Sequence, residues 1–159
     1  MTPHVSVHQI NTSRGGVPKL PVASARLEVG GVVGDEQADR RHHGGPDQDL
    51  CLYSLEVVER LRSEGHPIEA GAAGENLTLS GLDWSVMRPG LRLRIGADAV
   101  AEVTRPAPPC AKNARWFSDR DYSRMSEELH PGRSRWYARV LSPGVVMAGD
   151  PVVVEEATS

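Results

Sequence analysis

The amino-acid sequence predicts a single, mainly β domain: a β-barrel-like fold with about two short helices. Short apolar or alternating runs are separated by turn residues, with 16 Gly and 12 Pro in 159 residues, and this spacing is typical of small sandwiches and barrels. Helical periodicity is scarce. No repeat or low-complexity linker divides residues 1–159, and a chain of this length can bury one core.

The predicted strands alternate apolar and polar residues. In the clearest case Leu91, Leu93 and Ile95 alternate with arginines, which indicates a strand with one solvent-facing side. The last run is expected to seal the barrel against the first. The predicted strands are residues 5–10, 24–33, 50–54, 75–81, 91–95, 99–104, 134–141, 145–150 and 151–156.

Two segments favour helices. Ser54 is a suitable N-cap, Val58 and Leu61 lie roughly on one face after it, and Gly65 is a suitable end. Residues 118–129 carry apolar side chains at spacings of three and four, and the sequence His-Pro-Gly then predicts a helix end.

Composition and charge exclude several function classes. Hydrophobic residues make up 39%, charged residues 25%, and the formal net charge is −3, which favours neither disorder nor a nucleic-acid-binding surface. No apolar run approaches the ~20 residues of a membrane span, and the start of the chain lacks the apolar core of a signal peptide. We therefore expect a cytoplasmic protein without nucleic-acid or membrane partners.

One of the two cysteines follows a proline run, in "PAPPCAKNARWF". Prolines restrict their own φ and favour extended geometry before them, so Cys110 should be held at the end of a stiff segment. The cations Lys112 and Arg115 would stabilise its thiolate for nucleophilic chemistry or metal ligation. The alternative is a buried thiol that acts as a small hydrophobic side chain. Cys51 lies within an apolar strand and is interpreted as core.

A second candidate is the stretch "DRRHHGGPDQD". Gly44 and Gly45 would let backbone N–H groups approach an anion, next to His43 and Asp47. A solvated turn is the alternative interpretation. A zinc site is disfavoured, because adjacent histidines point apart on a strand and no second Cys/His pair has zinc-ligand spacing.

A third candidate is "AGAAGENLTLSGLD", in which glycines precede Glu75 and Asn76 at the start of a strand. Asn76 both donates and accepts hydrogen bonds, and Glu75 could orient a heterocycle that is rich in donors. The alternative is a tight turn that uses Asn and Gly for backbone reasons.

Five stretches occur in order: "HHGGPDQDLCLYS", "GENLTLSGLD", "PGLRLRIG", "RPAPPC" and "SPGVVMAGD". Together they resemble the MOSC domain family, related to the C-terminal domain of molybdenum-cofactor sulfurases, and most of all its small stand-alone bacterial members. The resemblance implies a β-barrel-like fold that binds the molybdenum cofactor (molybdopterin), with Cys110 as the thiolate that ligates the metal or carries sulfur. It places the family's His-Gly-Gly-Pro-Asp stretch on residues 43–47 and its Gly-Glu-Asn on residues 74–76.

Two positions depart from the family pattern. Relatives often carry a basic residue where this chain has Ala107, and a basic and a small residue where it has Gln48 and Asp49. Both changes remove positive charge near the expected anion. Arg105 and the two cations after Cys110 are the expected substitutes.

The first hypothesis is a reductase of N-hydroxylated small molecules. It requires an external electron-transfer partner, since the chain has no flavin, NAD or iron–sulfur motif. The second hypothesis is a sulfur carrier that receives a persulfide sulfur on Cys110 from a donor protein. The third is a non-catalytic carrier or sensor of the cofactor. A homodimer is among the assemblies expected.

Overall fold

The structure is a computed structural model, and it describes residues 4–13, 18–35 and 47–155. These residues form eleven strands in two sheets, one α-helix and three short 3-10 helices. The mainly β class predicted from the sequence is confirmed. In chain order the strands are β1 (Ser6–Thr12), β2 (Leu20–Val22), β3 (Ser24–Glu28), β4 (Gly31–Val32), β5 (Leu50–Ser54), β6 (Leu77–Ser80), β7 (Arg92–Ile95), β8 (Ala99–Pro106), β9 (Trp136–Ser142), β10 (Gly144–Met147) and β11 (Val152–Glu155).

Eight strands form the larger sheet, in the order β11-β7-β8-β9-β5-β6-β1-β2. Neighbouring strands are antiparallel except β5 and β6, which are parallel. A parallel pair needs a crossover connection, and the helix α1 (Leu55–Ser63) lies in this one. The smaller sheet has the order β10-β3-β4 and is antiparallel.

The two ends of the larger sheet approach each other at the start of β1. The Val7 amide donates to the Asp150 carbonyl at 2.9 Å, and Ser6 pairs with Pro151 as an isolated bridge. The sequence predicted that the last strand seals a barrel against residues 5–10, but the described strands form no closed barrel. Hydrogen bonds continue on both sides of Pro151: the Gly149 amide donates to the Val7 carbonyl at 2.7 Å, and the Val152 amide donates to the Val5 carbonyl at 2.9 Å. The last run therefore contacts residues 5–7, but β11 forms its ladder with β7.

Alternation along β7 separates the core from solvent. Leu93 and Ile95 are fully buried, whereas Arg92 and Arg94 are exposed and form ion pairs with glutamates of the neighbouring strands. Burial of an aliphatic side chain of this size stabilises the fold by about 1.5–3 kcal/mol. The predicted strand with one solvent-facing side is confirmed.

The helix α1 forms where the sequence predicts it. The Ser54 side chain accepts a hydrogen bond from the Val57 amide at 3.2 Å, which satisfies one of the free donors of the first turn. Val58 and Leu61 are buried in the main hydrophobic core. Gly65 follows the helix with a φ of 102°, a conformation that favours glycine.

The second predicted helix, residues 118–129, is much shorter in the structure. Only Tyr122–Met125 is helical, as a 3-10 helix. The Asp121 carboxylate accepts a hydrogen bond from the Ser123 amide at 3.1 Å. Polar side chains that bond to nearby backbone compete with a regular helix, which explains the single turn. Among the described helices, none has the length and apolar character needed to cross a membrane.

Gly71 lies where the loop before β6 packs closely on β1 and on the segment before β2. Its φ is +85°, and an added Cβ would lie 2.7 Å from the Lys19 carbonyl oxygen and 2.9 Å from Asn11 Oδ1. We expect Gly71→Ala to lower the free energy of unfolding by about 2–4 kcal/mol, because φ strain and a backbone clash add.

The matched control is Gly90→Ala, measured by urea denaturation in parallel. Gly90 has a φ of +92° and nothing within 4 Å of the added Cβ. Its substitution should lower the free energy of unfolding by only about 1–2 kcal/mol, from φ strain alone. Equal losses for the two variants would contradict the close packing of Gly71.

Candidate functional site

Cys110 lies between the end of β8 and the 3-10 helix Ala111–Trp116. Its backbone is extended, with φ −123° and ψ 131°. The Cys110 carbonyl accepts a hydrogen bond from the Asn113 amide at 2.9 Å, which closes the first turn of the 3-10 helix. The residue is partly exposed, so its thiol is neither a core side chain nor fully solvated.

A buried arginine, Arg135, connects the Cys110 segment to the loop of residues 71–76. Its Nη2 donates to the Pro108 carbonyl at 2.8 Å, and its Nη1 donates to the Ala73 carbonyl at 3.2 Å. The Arg135 backbone carbonyl also accepts from the Ala107 amide at 2.8 Å. Only 7% of Arg135 is exposed. The two candidate segments singled out in the sequence are therefore brought together by one side chain.

Glu75 is fully buried in the loop before β6. Its Oε2 accepts hydrogen bonds from the Gly71 amide and the Thr78 hydroxyl, both at 2.9 Å, whereas its buried Oε1 has no partner within the described part of the chain. Burial is the largest effect on the Glu75 pKa and raises it, although the two hydrogen bonds and the charge of Arg135 act in the opposite direction. The carboxyl is thus held in place at one oxygen and open at the other.

Asn76 is bound within the protein from both ends of its amide. Its Oδ1 accepts from the Cys51 amide at 2.8 Å, and its Nδ2 donates to Asp35 Oδ2 at 2.8 Å. The same carboxylate pairs with Lys19. Asn76 therefore connects β5 to the segment after β4, and a contact between Asn76 and a ligand stays a prediction.

Five buried side-chain nitrogen or oxygen atoms have no hydrogen-bond partner among the residues that the structure describes. Four of them belong to residues of the Cys110 helix, the 71–76 loop or Arg135, and we call these four the open polar atoms. They are Glu75 Oε1, Asn113 Oδ1, Trp116 Nε1 and Arg135 Nε.

Contacts place three of these residues, Glu75, Asn113 and Arg135, at the same loop. Asn113 Nδ2 donates to the Ala73 carbonyl at 3.2 Å, the acceptor that Arg135 also uses. Asn113 and Trp116 are three residues apart, and side chains at this spacing share a face of a 3-10 helix. Two acceptors and two donors thus lie on the 71–76 loop, on Arg135 and on the helix that follows Cys110, a pattern that complements a polar heterocycle.

Cys51 is buried, as predicted, but it lies outside the main core. It packs with Ala107 and Tyr137 in a separate small cluster beside Arg135. Burial raises the pKa of the Cys51 thiol, and the Arg135 guanidinium opposes this increase. Cys51 is therefore a buried residue beside Arg135 and does not belong to the central apolar cluster.

The cations expected to hold an anion lie on the surface. Lys112 and Arg115 are exposed, and the Arg115 guanidinium lies over the Trp116 ring at 4.9 Å from its centroid. The Arg105 guanidinium lies over Tyr137 at 5.2 Å. Arg135 is the buried positive charge of the site, and sequence reasoning missed it because nothing in "SRWYARVL" distinguishes it from a surface arginine.

The remaining sequence-predicted site residues belong to the glycine-rich stretch. His43, Gly44 and Gly45 lie outside the described residues. Asp47 is exposed: its carboxylate lies 3.8 Å from Arg139 Nη1, and its carbonyl accepts from the Thr104 hydroxyl at 2.6 Å. The described contacts of Asp47 thus lie on β8 and β9 and do not include Cys110.

Comparison with known proteins gives a consistent set of relatives. A sequence model of the MOSC domain matches residues 39–153. Protein YiiM of Escherichia coli (strain K12) is 33% identical over 144 residues, which cover 83% of this chain and 63% of YiiM. Protein YflK of Bacillus subtilis (strain 168) is 36% identical over 138 residues, which cover 84% of this chain and 60% of YflK.

A protein of Gibberella moniliformis (strain M3125 / FGSC 7600) named reductase is 32% identical over 131 residues, which cover 79% of this chain and 23% of that protein. The crystal structure of YiiM from Escherichia coli superimposes with a TM-score of 0.73 at 28% identity, and the match covers 100% of this chain and 72% of that one. The chain spans less than two thirds of the length of either bacterial relative, 63% and 60%.

Glu75 should make stability depend on pH. Because its pKa is raised in the folded state, the unfolded state releases the proton first as pH rises. The free energy of unfolding should therefore fall above about pH 4, the ordinary range of a glutamate, until the folded-state pKa is passed. Glu75→Gln removes this decrease, so the variant should gain stability relative to wild type as pH rises above about 4.5 in urea denaturation.

Glu64→Gln is the matched control, since hydrogen bonds from Arg133 lower the pKa of this exposed glutamate. The stabilising effect of Glu64 is present above its ordinary pKa and lost as pH falls, so this variant should lose stability relative to wild type as pH rises. Parallel pH curves for wild type and Glu75→Gln would contradict the account of Glu75.

Proposed function

The chain belongs to the MOSC domain family, and we propose that it is an oxidoreductase that binds the molybdenum cofactor, with the Cys110 thiolate as the ligand from the protein to the metal. The observation that carries this proposal is the group of open polar atoms on the 71–76 loop, on Arg135 and on the helix that follows Cys110. A buried polar atom without a partner destabilises a protein by about 1–3 kcal/mol, so four of them in segments that Arg135 connects to the Cys110 segment favour a site built for a polar ligand.

The metal-binding chemistry fits the residues present. Molybdenum held by dithiolene sulfur is a soft centre, and one thiolate suits it. Among the described residues, no three His, Cys, Asp or Glu side chains come together as metal ligands. This absence is compatible with a metal whose other ligands come from the cofactor, because such a metal needs only one thiolate from the protein, that of Cys110.

The organic part of the cofactor also fits. A pterin carries N–H donors beside ring nitrogen and carbonyl acceptors. Glu75 Oε1 and Asn113 Oδ1 would accept from its donors, and Arg135 Nε and Trp116 Nε1 would donate to its acceptors. For the phosphate we propose Lys112 and Arg115, together with the predicted stretch of residues 43–47.

The bound cofactor would supply a two-electron centre at which an N-hydroxylated small molecule loses its oxygen. The chain itself would hold the metal through Cys110 and orient the ring through Glu75. The buried side chains of Cys51 and Tyr137 would keep water away from one side of the site. An external partner would deliver the electrons. The relative named reductase supports this reaction class, and a cytoplasmic location would keep both thiols reduced.

Cofactor content tests the proposal. Wild-type protein purified from a molybdenum-replete host should contain about one molybdenum and one pterin per chain, and Cys110→Ser should lose most of both, because a hydroxyl is a poor ligand for a soft metal. Elemental analysis and pterin fluorescence measure the two contents.

Cys51→Ala is the matched thiol control. It should retain the cofactor and lower the free energy of unfolding by about 1–3 kcal/mol, the scale of a small core deletion. Metal-free wild-type protein that takes up labelled sulfur at Cys110 would replace the proposal with the sulfur-carrier hypothesis. Cofactor bound equally well by Cys110→Ser, without turnover, would favour the carrier or sensor.

A further inference from the structure

The segment that carries Cys110 has few groups with which to hold itself in place. Pro106, Pro108 and Pro109 have no N–H, so of residues 106–110 only Ala107 and Cys110 carry a backbone donor. Segments of this kind depend on donors from elsewhere that reach their carbonyl oxygens. In the described structure, the side chain that donates to the Pro108 carbonyl is Arg135.

Arg135 is well placed to act as a fixed anchor. It comes directly before β9, and the first two residues of that strand pair with both neighbouring strands: Trp136 with Pro106 on β8, and Tyr137 with Cys51 on β5. The Arg135 carbonyl accepts from the Ala107 amide at 2.8 Å. Backbone pairing on both sides therefore fixes the position from which the guanidinium extends.

The guanidinium of Arg135 is distinguished by its burial, since Arg62 and Arg88 also donate to carbonyls but are exposed. The described ion pairs of Arg133 and Arg139 are made with carboxylates by partly exposed side chains, whereas no ion pair between described residues includes Arg135. Its Nη atoms donate instead to two carbonyls, Pro108 at 2.8 Å and Ala73 at 3.2 Å. A buried charge is expensive to keep, so a residue of this kind is retained where its donors have a specific task.

We propose that Arg135 is a positioning residue for Cys110. By holding the Pro108 carbonyl and the Ala73 carbonyl with one planar group, it fixes the thiol relative to the loop that presents Glu75. The inference deepens the proposed function because it concerns the same thiol. Its test does not need the cofactor, since the position of the thiol is a property of the protein alone.

The test is the rate at which iodoacetamide alkylates Cys110 in purified, cofactor-free protein, followed by mass spectrometry of the peptide that contains it. Rates are taken on the plateau at high pH, where the thiolate is fully formed and only access and position matter. Loss of a charge-assisted hydrogen bond changes the balance between held and released states by about tenfold or more. Arg135→Ala should therefore raise the plateau rate about tenfold.

Arg135→Lys keeps the charge but lacks the planar fork, so it can bond one carbonyl at a time. Its plateau rate should lie between those of wild type and Arg135→Ala. If Arg135→Ala does not fold, Arg135→Lys decides the question. Arg133→Ala is the matched arginine control. Arg133 is two residues from Arg135 in the sequence and forms an ion pair with Glu64, so this variant should be alkylated at the wild-type rate.

A general loss of stability is excluded with Leu93→Ala, which removes a fully buried core side chain in β7. Plateau rates for both Arg135 variants within twofold of wild type would overturn the inference. An equal increase in Leu93→Ala would also overturn it, because unfolding would then explain the rate. A failure of the proposed function is distinguishable: it appears as a missing cofactor in wild type and leaves these alkylation rates unchanged.

Discussion

The hydrogen bonds of Arg135 are the constraint on which the arrangement of the site depends. Prolines make the segment before Cys110 stiff, but they also remove the donors that would attach it to the sheet. One guanidinium compensates, because it donates to the Pro108 carbonyl at 2.8 Å and to the Ala73 carbonyl at 3.2 Å. The buried Arg135, directly before β9, therefore connects the segment that carries Cys110 to the 71–76 loop.

The same region carries most of the unsatisfied polarity of the described chain. Three of the open atoms belong to Glu75 in the 71–76 loop and to Asn113 and Arg135, which both donate to Ala73, and the fourth belongs to Trp116 on the same 3-10 helix as Asn113. The fifth unpartnered atom belongs to Arg124, which pairs with Asp119 near the surface. Elsewhere, the side chains of β7 alternate regularly between core and solvent. Stability is thus lower at the place where chemistry is proposed, as is common for preorganised sites. The raised pKa of Glu75 is a consequence of the same burial.

Much of the fold could be predicted because it follows from local patterns. Alternation identified β7, and a serine cap with apolar spacing identified α1. The predicted barrel closure is reduced to hydrogen bonds between residues 149–152 and residues 5–7, because β11 forms its ladder with β7. The second helix was wrong for a local reason: the Asp121 carboxylate bonds to the backbone of the segment that would otherwise continue as a helix.

The site was predictable only in part. Cys110, Glu75 and Asn76 stood out by type and context, but Arg135 did not, because its partners lie 27 and 62 residues away in the sequence. The small cluster of Cys51, Ala107 and Tyr137 was missed for the same reason, since period-two alternation shows that a residue is buried but not against what.

Native mass spectrometry of the undenatured wild-type protein, purified from a molybdenum-replete host, tests the central claim most directly. The account predicts a species whose mass exceeds that of the chain by one molybdenum cofactor. A protein observed only at the mass of the chain, or at that mass plus one sulfur atom, would contradict it.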